Sequence, residues 1–227
     1  GPGLHALAIA MADAGHEVIV VAPDRDQSGT GAALGGLGAG TTLGVARAEL
    51  PGRPDIEAWA LEGPPATAVL AAAIGAFGSP PTFVVSGTNA GTNAGRAVLH
   101  SGTVGAALTA QNFGLSGLAV SLAAPHDGEW AWAEAARLAV DVFERFLLTA
   151  PPRSVLNLNV PSVPPTSLDG LRWARLAPFG TVRTALADGH DLATGHLELE
   201  LRQTEAELPP DTDSALLGAG YATLTTI

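Results

Sequence analysis

Residues 83–122 read FVVSGTNAGTNAGRAVLHSGTVGAALTAQNFGLSGLAVSL, and the architecture of the chain can be predicted outward from this segment. It contains an apolar strand at Phe83–Ser86, a loop of small polar residues, a helix that begins at Ser101, and a second apolar strand at Leu118–Leu122. Ser is favoured at a helix start because its side-chain oxygen accepts a bond from a free backbone N–H. The order strand, helix, strand predicts two parallel strands joined by a crossover helix.

Strands and helices alternate on both sides of this unit. The sequence predicts further helices at residues 4–15, 63–77 and 129–149, and further strands at residues 17–22, 56–61 and 155–160. Such alternation favours a mostly parallel sheet with helices on both faces. We therefore predict an α/β fold, a three-layer Rossmann-like sandwich.

The pattern changes after Pro161. Strand-like segments follow at residues 171–176, 196–202 and 221–226, with no clear helix between them. This predicts a C-terminal antiparallel β-hairpin extension. We expect two parts, an α/β core with the active-site loops at residues 1–161 and a β extension at residues 162–227.

Composition excludes several classes of protein. The 227 residues are 47% hydrophobic and 15% charged, which is the opposite of a disordered chain. The net charge is −11 and the eleven basic residues are all Arg, which argues against a nucleic acid polymer as partner. No apolar run is long enough to span a membrane. Cysteine is absent, which excludes a thiolate metal site and is compatible with the cytoplasmic location that we expect.

Three loops of small polar residues are expected at the carboxyl edge of the sheet, where open parallel sheets bind ligands. They cover residues 23–30, 86–95 and 100–104. The start of a helix at Ser101 offers free N–H groups to a phosphate, and hydroxyl and amide oxygens suit a hard divalent cation. Each loop alone is more simply explained as a turn. Together they favour a site for a phosphorylated compound.

The segment Gly35–Gly40, GGLGAG, is also rich in glycine. It does not have the spacing of a dinucleotide-binding loop, and no clear strand leads into it. A flexible loop within the loop-like region 23–48 is the favoured interpretation.

Several segments together resemble the SurE survival protein family. They are VVAPDRDQSG at residues 20–29, VVSGTNAGTNAG at 84–95, SGTV at 101–104, AVSL at 119–122, LNLNVP at 156–161, and Thr212-Asp213 with Gly220-Tyr221. The resemblance covers nearly the whole chain. It implies a metal-dependent phosphomonoesterase that hydrolyses nucleoside 5′/3′-monophosphates. It also implies a homodimer or homotetramer in which subunits exchange C-terminal hairpins, for which residues 178–208 are the candidate.

The resemblance also implies the site residues. One divalent metal ion per subunit, Mg, Mn or Ca, is expected on Ser28 and Asn89. The residues expected to bind phosphate are Gly29, Asn93, Ser101, Gly102 and Thr103. In the family two Asp of an Asn-Asp-Asp-Gly motif complete the metal site. On the family pattern this motif ends a strand shortly before Gly1, so the catalytic residues are left unassigned within this chain.

Two departures and two alternatives stay open. The family usually has Asp where Thr67 stands and Tyr where His100 stands, which bears on substrate preference. The first alternative function is a non-catalytic nucleotide- or phosphate-binding protein, or a truncated pseudoenzyme without the Asp pair. A Rossmann-type dinucleotide protein is a weaker alternative, because the glycine fingerprint and the acidic ribose residue are missing.

Overall fold

The computed structural model describes residues 1–125, 128–162, 168–179, 182–188, 195–196, 198–203 and 207–227. The helices are α1 (Pro2–Asp13), α2 (Pro65–Ala73), α3 (Gly102–Asn112), α4 (Trp132–Val142) and α5 (Asp213–Gly218). The strands are β1 (Ile19–Pro23), β2 (Val45–Ala48), β3 (Glu57–Leu61), β4 (Phe83–Ala90), β5 (Ser116–Leu122), β6 (Val155–Val160), β7 (Leu171–Trp173), β8 (Val182–Leu186), β9 (Leu199–Gln203) and β10 (Ala222–Thr226).

The larger sheet has the strand order β4-β5-β6-β10-β7. The first three strands are parallel, β10 runs antiparallel to β6, and β7 is parallel to β10. A smaller sheet has the order β1-β3-β2, with β1 and β3 parallel and β2 antiparallel to β3. The predicted mostly parallel α/β architecture is therefore confirmed.

Alternating side chains of the central strands pack against helices on opposite faces. Leu118, Val120 and Leu122 of β5 join a core cluster with residues of α1 and α4, whereas Ala119 packs with residues of α3. All four side chains are fully buried. Because successive residues of a strand point to opposite faces, this alternation makes β5 the middle of a three-layer sandwich.

In the part of the chain that the structure describes, β1 and β4 each have one edge without a hydrogen-bonded neighbour strand. Strand β1 pairs only with β3, and β4 pairs only with β5, within the described residues. Helix α1 packs against both sheets, through Leu7 in the cluster with β5 and through Ala8 in the cluster with β1 and β3. On the other face α2 contacts β1 as well as α3, which in turn contacts β4. The same helices thus cover both open edges.

The C-terminal part contains the expected hairpin. Strands β8 and β9 pair antiparallel as a separate two-stranded ribbon. Parts of the predicted segment 178–208, at residues 180–181, 189–194, 197 and 204–206, lie outside the described residues. The boundary proposed at residue 161 stays a prediction. In the part of the chain that the structure describes, no helix is long and apolar enough to cross a membrane.

Several elements differ from the sequence-based expectation, among them four short ones. Strand β2 lies in the region expected to be loop, and helix α5 lies where no helix was expected. A 3₁₀ turn at Gly95–His100 precedes α3, and the predicted helix 129–149 ends as a π turn at Phe143–Leu147 after α4. These are short elements of four to six residues, too short for hydrophobic periodicity to reveal.

Candidate active site

The loop that follows β1 presents Ser28 to solvent. The Ser28 hydroxyl donates to Oδ1 of Asp26 at 2.6 Å, and the Ser28 amide donates to the same oxygen at 2.8 Å. The hydroxyl bond first, and the amide bond second, hold the pKa of Asp26 below its ordinary value. Since both residues are exposed, the Ser28 oxygen is accessible to a ligand.

This loop rests directly on the start of α3. The Gly31 amide donates to the carbonyl oxygen of His100 at 3.1 Å. A Cβ on Gly105 would overlap the carbonyl group of Gly31, and a Cβ on Gly102 would lie 3.2 Å from the Thr30 hydroxyl. Glycine at these two helical positions lets the backbones approach closely. The loop with Ser28 and Gly29 therefore borders the start of α3.

The start of α3 leaves two amides available for an anion. The carbonyl oxygen of Ser101 accepts the first intrahelical bond, from Gly105 at 2.8 Å. The Ser101 hydroxyl accepts from the Val104 amide at 3.1 Å. The amides of Gly102 and Thr103 have no partner four residues earlier within the helix, so they point out of its positive end. Ser101 itself is a buried helix cap.

The last part of β4 contains Asn89, which pairs with Ser121 of β5 in the strand register, one residue before the strand ends. The Asn89 Nδ2 donates to the carbonyl oxygen of Gly91 at 2.8 Å, and the Gly91 amide donates to Leu122. Orienting Nδ2 towards the loop leaves Oδ1 of the same amide as an acceptor for a cation.

Asn93 is held in a buried polar network rather than presented on the surface. Its Nδ2 donates to the hydroxyl of Ser121 at 2.8 Å, and its backbone amide donates to Oδ1 of Asn159 at 2.8 Å. Its carbonyl oxygen accepts from Nδ2 of Asn157 at 2.8 Å and of Asn159 at 3.2 Å. Asn93 therefore fixes the course of the loop from the carboxyl ends of β5 and β6.

A buried carboxylate from the C-terminal part holds the other end of this loop. Asp213 is 0% exposed. Its Oδ2 accepts from the Gly95 amide at 2.8 Å, and its Oδ1 accepts from the amides of Ala177 at 2.9 Å and Ser214 at 2.7 Å. Charge-assisted bonds of this kind are roughly twice as strong as neutral ones.

Sequence reasoning gave no site role to Asp213, Asn157 or Asn159. The available signal was their chemistry in context, since two Asn alternate with Leu in the strand β6, which is buried along its whole length. Buried polar side chains are hydrogen-bonded, so such residues are expected to hold something. What they hold, a loop more than 60 residues away in the sequence, is a property of the fold.

The predicted site residues are thus distributed over two neighbouring loops and one helix start. Ser28 and Gly29 precede Thr30 and Gly31, which contact the start of α3, whereas Asn89 lies at the carboxyl end of β4 and Asn93 in the loop that follows. Helix α1 packs closely against the end of β4, because a Cβ on Gly3 would overlap the Thr88 carbonyl.

That Ser28 and Asn89 share one cation stays a prediction. No group of three or more His, Cys, Asp or Glu side chains that could hold a metal occurs among the described residues.

Comparisons with known proteins identify the group to which this arrangement belongs. Residues 1–180 match the family described as "Survival protein SurE". A protein named 5′-nucleotidase SurE from Chloroflexus aggregans is 35% identical over 100% of this chain and 87% of its own length. Another 5′-nucleotidase SurE, from Thermosynechococcus vestitus, is 40% identical over 75% of this chain. The match spans 63% of that relative's length.

A solved structure agrees with the sequence matches. The crystal structure of the SurE protein from Aquifex aeolicus aligns with a TM-score of 0.77 and 26% identity, covering 100% of this chain and 88% of that chain. The strand order, the polar loops at the carboxyl ends of the strands and these likenesses agree, and the chain belongs to the SurE family.

Proposed function

We propose that this chain carries the phosphate-binding part of a metal-dependent phosphomonoesterase acting on nucleoside 5′- and 3′-monophosphates. The observation that carries the proposal is the contact between the Ser28 loop and the start of α3. It brings the Thr30 hydroxyl close to Gly102, whose amide is one of the two outward amides of the helix start, and Ser28 lies two residues before Thr30 in the same loop. The relatives named 5′-nucleotidase support the same activity.

In the proposed reaction the amides of Gly102 and Thr103 bind phosphate oxygens and stabilise the charge that develops on them. Ser28 Oγ and Asn89 Oδ1 bind one divalent metal ion, Mg, Mn or Ca. Such an ion supplies polarisation of the phosphoryl group and a lower pKa for the attacking water. The buried bonds to Asn93 and Gly95 keep the second loop in place during this step.

The donor set supports a hard cation only in part. Hydroxyl and amide oxygens are the right type of ligand, but such a cation takes about six or more oxygens, several of them from carboxylates. We therefore propose that a further parallel strand with an acidic pair lies between β1 and β4. Support comes from the two unpaired edges there, which the same helices cover on both faces. An unpaired edge in a covered position would leave backbone groups unsatisfied.

The test of this function uses the full-length protein with AMP and 3′-AMP in the presence of Mg²⁺, Mn²⁺ or Ca²⁺. We expect hydrolysis that is abolished by a chelator. Ser28→Ala and Asn89→Ala should raise the metal dissociation constant, measured by titration calorimetry, at least about tenfold. Ser79→Ala and Asn112→Ala, two exposed residues, serve as matched controls.

Chelator-resistant hydrolysis, or unchanged metal affinity in both variants, would show that these residues do not form the metal site. Binding of AMP without hydrolysis would instead establish the non-catalytic nucleotide-binding alternative.

We also propose that the β8–β9 ribbon packs on a second copy of the chain. A two-stranded ribbon is marginally stable alone. Leu186 and Leu199 form a cross-strand pair in its register and are 49% and 60% exposed. Light scattering should give the mass of a dimer or tetramer, and Leu186→Ser with Leu199→Ser should shift it towards the monomer. A monomeric mass for the unaltered protein at micromolar concentration would contradict the proposal.

A further inference from the structure

We infer that the groove between the Gly35–Leu43 segment and the Glu62–Thr67 segment receives the nucleoside of the substrate, with Glu62 binding the ribose hydroxyls. This inference rests on the proposed function, because it assigns a place to the part of the substrate that does not react. It concerns the glycine-rich segment Gly35–Gly40, which has no role in the proposed phosphate site.

The groove is large enough for a small molecule and carries several polar groups. Its volume is about 310 Å³, at the lower end of the roughly 300–1,000 Å³ typical of ligand pockets. Arg25, Gln27 and Glu62 contribute polar groups to its lining, and Leu37 and Leu43 contribute apolar surface. The two leucines are 42% and 36% exposed, so they can cover one face of a base.

The groove opens next to the phosphate site. Gln27, one of its lining residues, accepts through its carbonyl oxygen from the Thr30 hydroxyl at 2.8 Å. The Thr30 hydroxyl in turn lies 3.2 Å from where a Cβ of Gly102 would stand, and the Pro65 ring lies 3.0 Å from the same point. A ligand whose phosphate meets the start of α3 therefore has this groove as its neighbour.

Hydrogen bonds hold the glycine-rich side of the groove, the Gly35–Leu43 segment, in place. The hydroxyl of Thr67, a fully buried residue, donates to the carbonyl oxygen of Leu34 at 2.8 Å. Further along, the Gly38 amide donates to the Thr41 hydroxyl at 2.8 Å and closes a local turn. The small residues between these anchors leave the space that makes the groove.

Glu62 is the carboxylate in the groove lining that can accept hydrogen bonds from a sugar. It directly follows β3, and its backbone amide donates to the carbonyl oxygen of Gly44 at 2.8 Å. Its Oε2 lies 3.4 Å from the Gly44 amide, which is a long contact, and no described cation forms an ion pair with it. A carboxylate with accessible oxygens accepts bonds from ribose hydroxyls, as acidic residues do in dinucleotide sites.

The experiment compares Glu62→Gln with the unaltered full-length protein on three substrates: AMP, 2′-deoxy-AMP and p-nitrophenyl phosphate. We expect kcat/KM for AMP to fall about tenfold, in line with the loss of hydrogen bonds to a charged acceptor. The value for p-nitrophenyl phosphate, which has no sugar, should stay unchanged. The preference for AMP over 2′-deoxy-AMP should shrink. Glu49→Gln, an exposed carboxylate outside the groove lining, is the matched control.

A binding measurement tests the role of the groove independently of hydrolysis. Titration with adenosine should show a dissociation constant about tenfold higher for Glu62→Gln than for Glu49→Gln. Equal losses on AMP and p-nitrophenyl phosphate, or an unchanged kcat/KM for AMP, would overturn the assignment. If the unaltered protein hydrolyses none of the three substrates, the proposed function fails. In that case only adenosine binding tests the groove. Equal dissociation constants for adenosine in Glu62→Gln and Glu49→Gln would overturn the assignment of the groove.

Discussion

Replacing Asp213 by Ala is expected to lower the free energy of unfolding by about 3–5 kcal/mol, because several buried amides lose their acceptor at once. The Gly95 and Ala177 amides both donate to this carboxylate, and they lie on segments far apart in the sequence. Each orphaned buried donor costs about 1–3 kcal/mol. Chemical denaturation of the full-length protein measures the loss.

The substitution should also reduce the proposed hydrolytic activity more than the fraction of unfolded protein explains, since Gly95 follows the loop that carries Asn93 after the end of β4. Asp211→Ala is the matched control. Asp211 is an exposed carboxylate two residues away, paired with Arg175 at the surface, and its loss should change stability little. If Asp213→Ala is no less stable than Asp211→Ala, the buried carboxylate does not hold the loop.

Replacing Gly105 by Ala should displace the Ser28 loop from α3. The added Cβ would overlap the carbonyl group of Gly31 and lie 2.7 Å from Cα of Ala32. Both neighbours are backbone, so no side-chain rotation relieves the overlap. Overpacking of this kind costs about 1–3 kcal/mol of stability. A shift of about 1 Å at the loop can lower kcat/KM roughly a hundredfold.

Gly218→Ala is the control for this prediction. Gly218 also lies in a helix, but nothing stands within 4 Å of its Cβ position, so the change should stay within about 0.5 kcal/mol. Thermal unfolding and steady-state kinetics measure the two effects. A Gly105→Ala protein with unaltered kcat/KM would mean that the approach of the loop to α3 does not position the site.

Local pattern was sufficient to predict the order of the main elements. The apolar stretches 83–86, 118–122 and 155–160 are all within strands, and the Ser101 cap begins α3 as its residue type indicates. Strand β4 continues to Ala90, through small polar residues that sequence reasoning assigned to a loop. It continues there because β5 supplies partners at Asn89 and Ala90. Pairing across 30 residues overrides the local preference for a turn.

The candidate site residues could be recognised from their sequence motifs. The hydrogen bonds that hold these residues in place could not be predicted from the motifs. The predicted residues Gly102 and Thr103 lie at the helix start as expected. Phosphate binding by Asn93 stays a prediction, and its amide and carbonyl groups are bonded to β5 and β6. A motif records which residues recur together, but the direction of a side chain depends on the neighbours that the fold supplies.

Strand and helix periodicity, capping and motif spacing are properties of neighbouring residues. They were therefore enough to predict the fold class, the family and the residues around which a phosphate site could form. Three features depend on the folded chain: Asp213 and Asn159 hold the loop between them, the Ser28 loop lies on α3, and Glu62 lines a groove near the start of α3. Each of these is a contact between segments distant in the chain. Such contacts depend on which backbone groups the sheet register and helix packing bring within hydrogen-bond distance, and no local pattern encodes that distance.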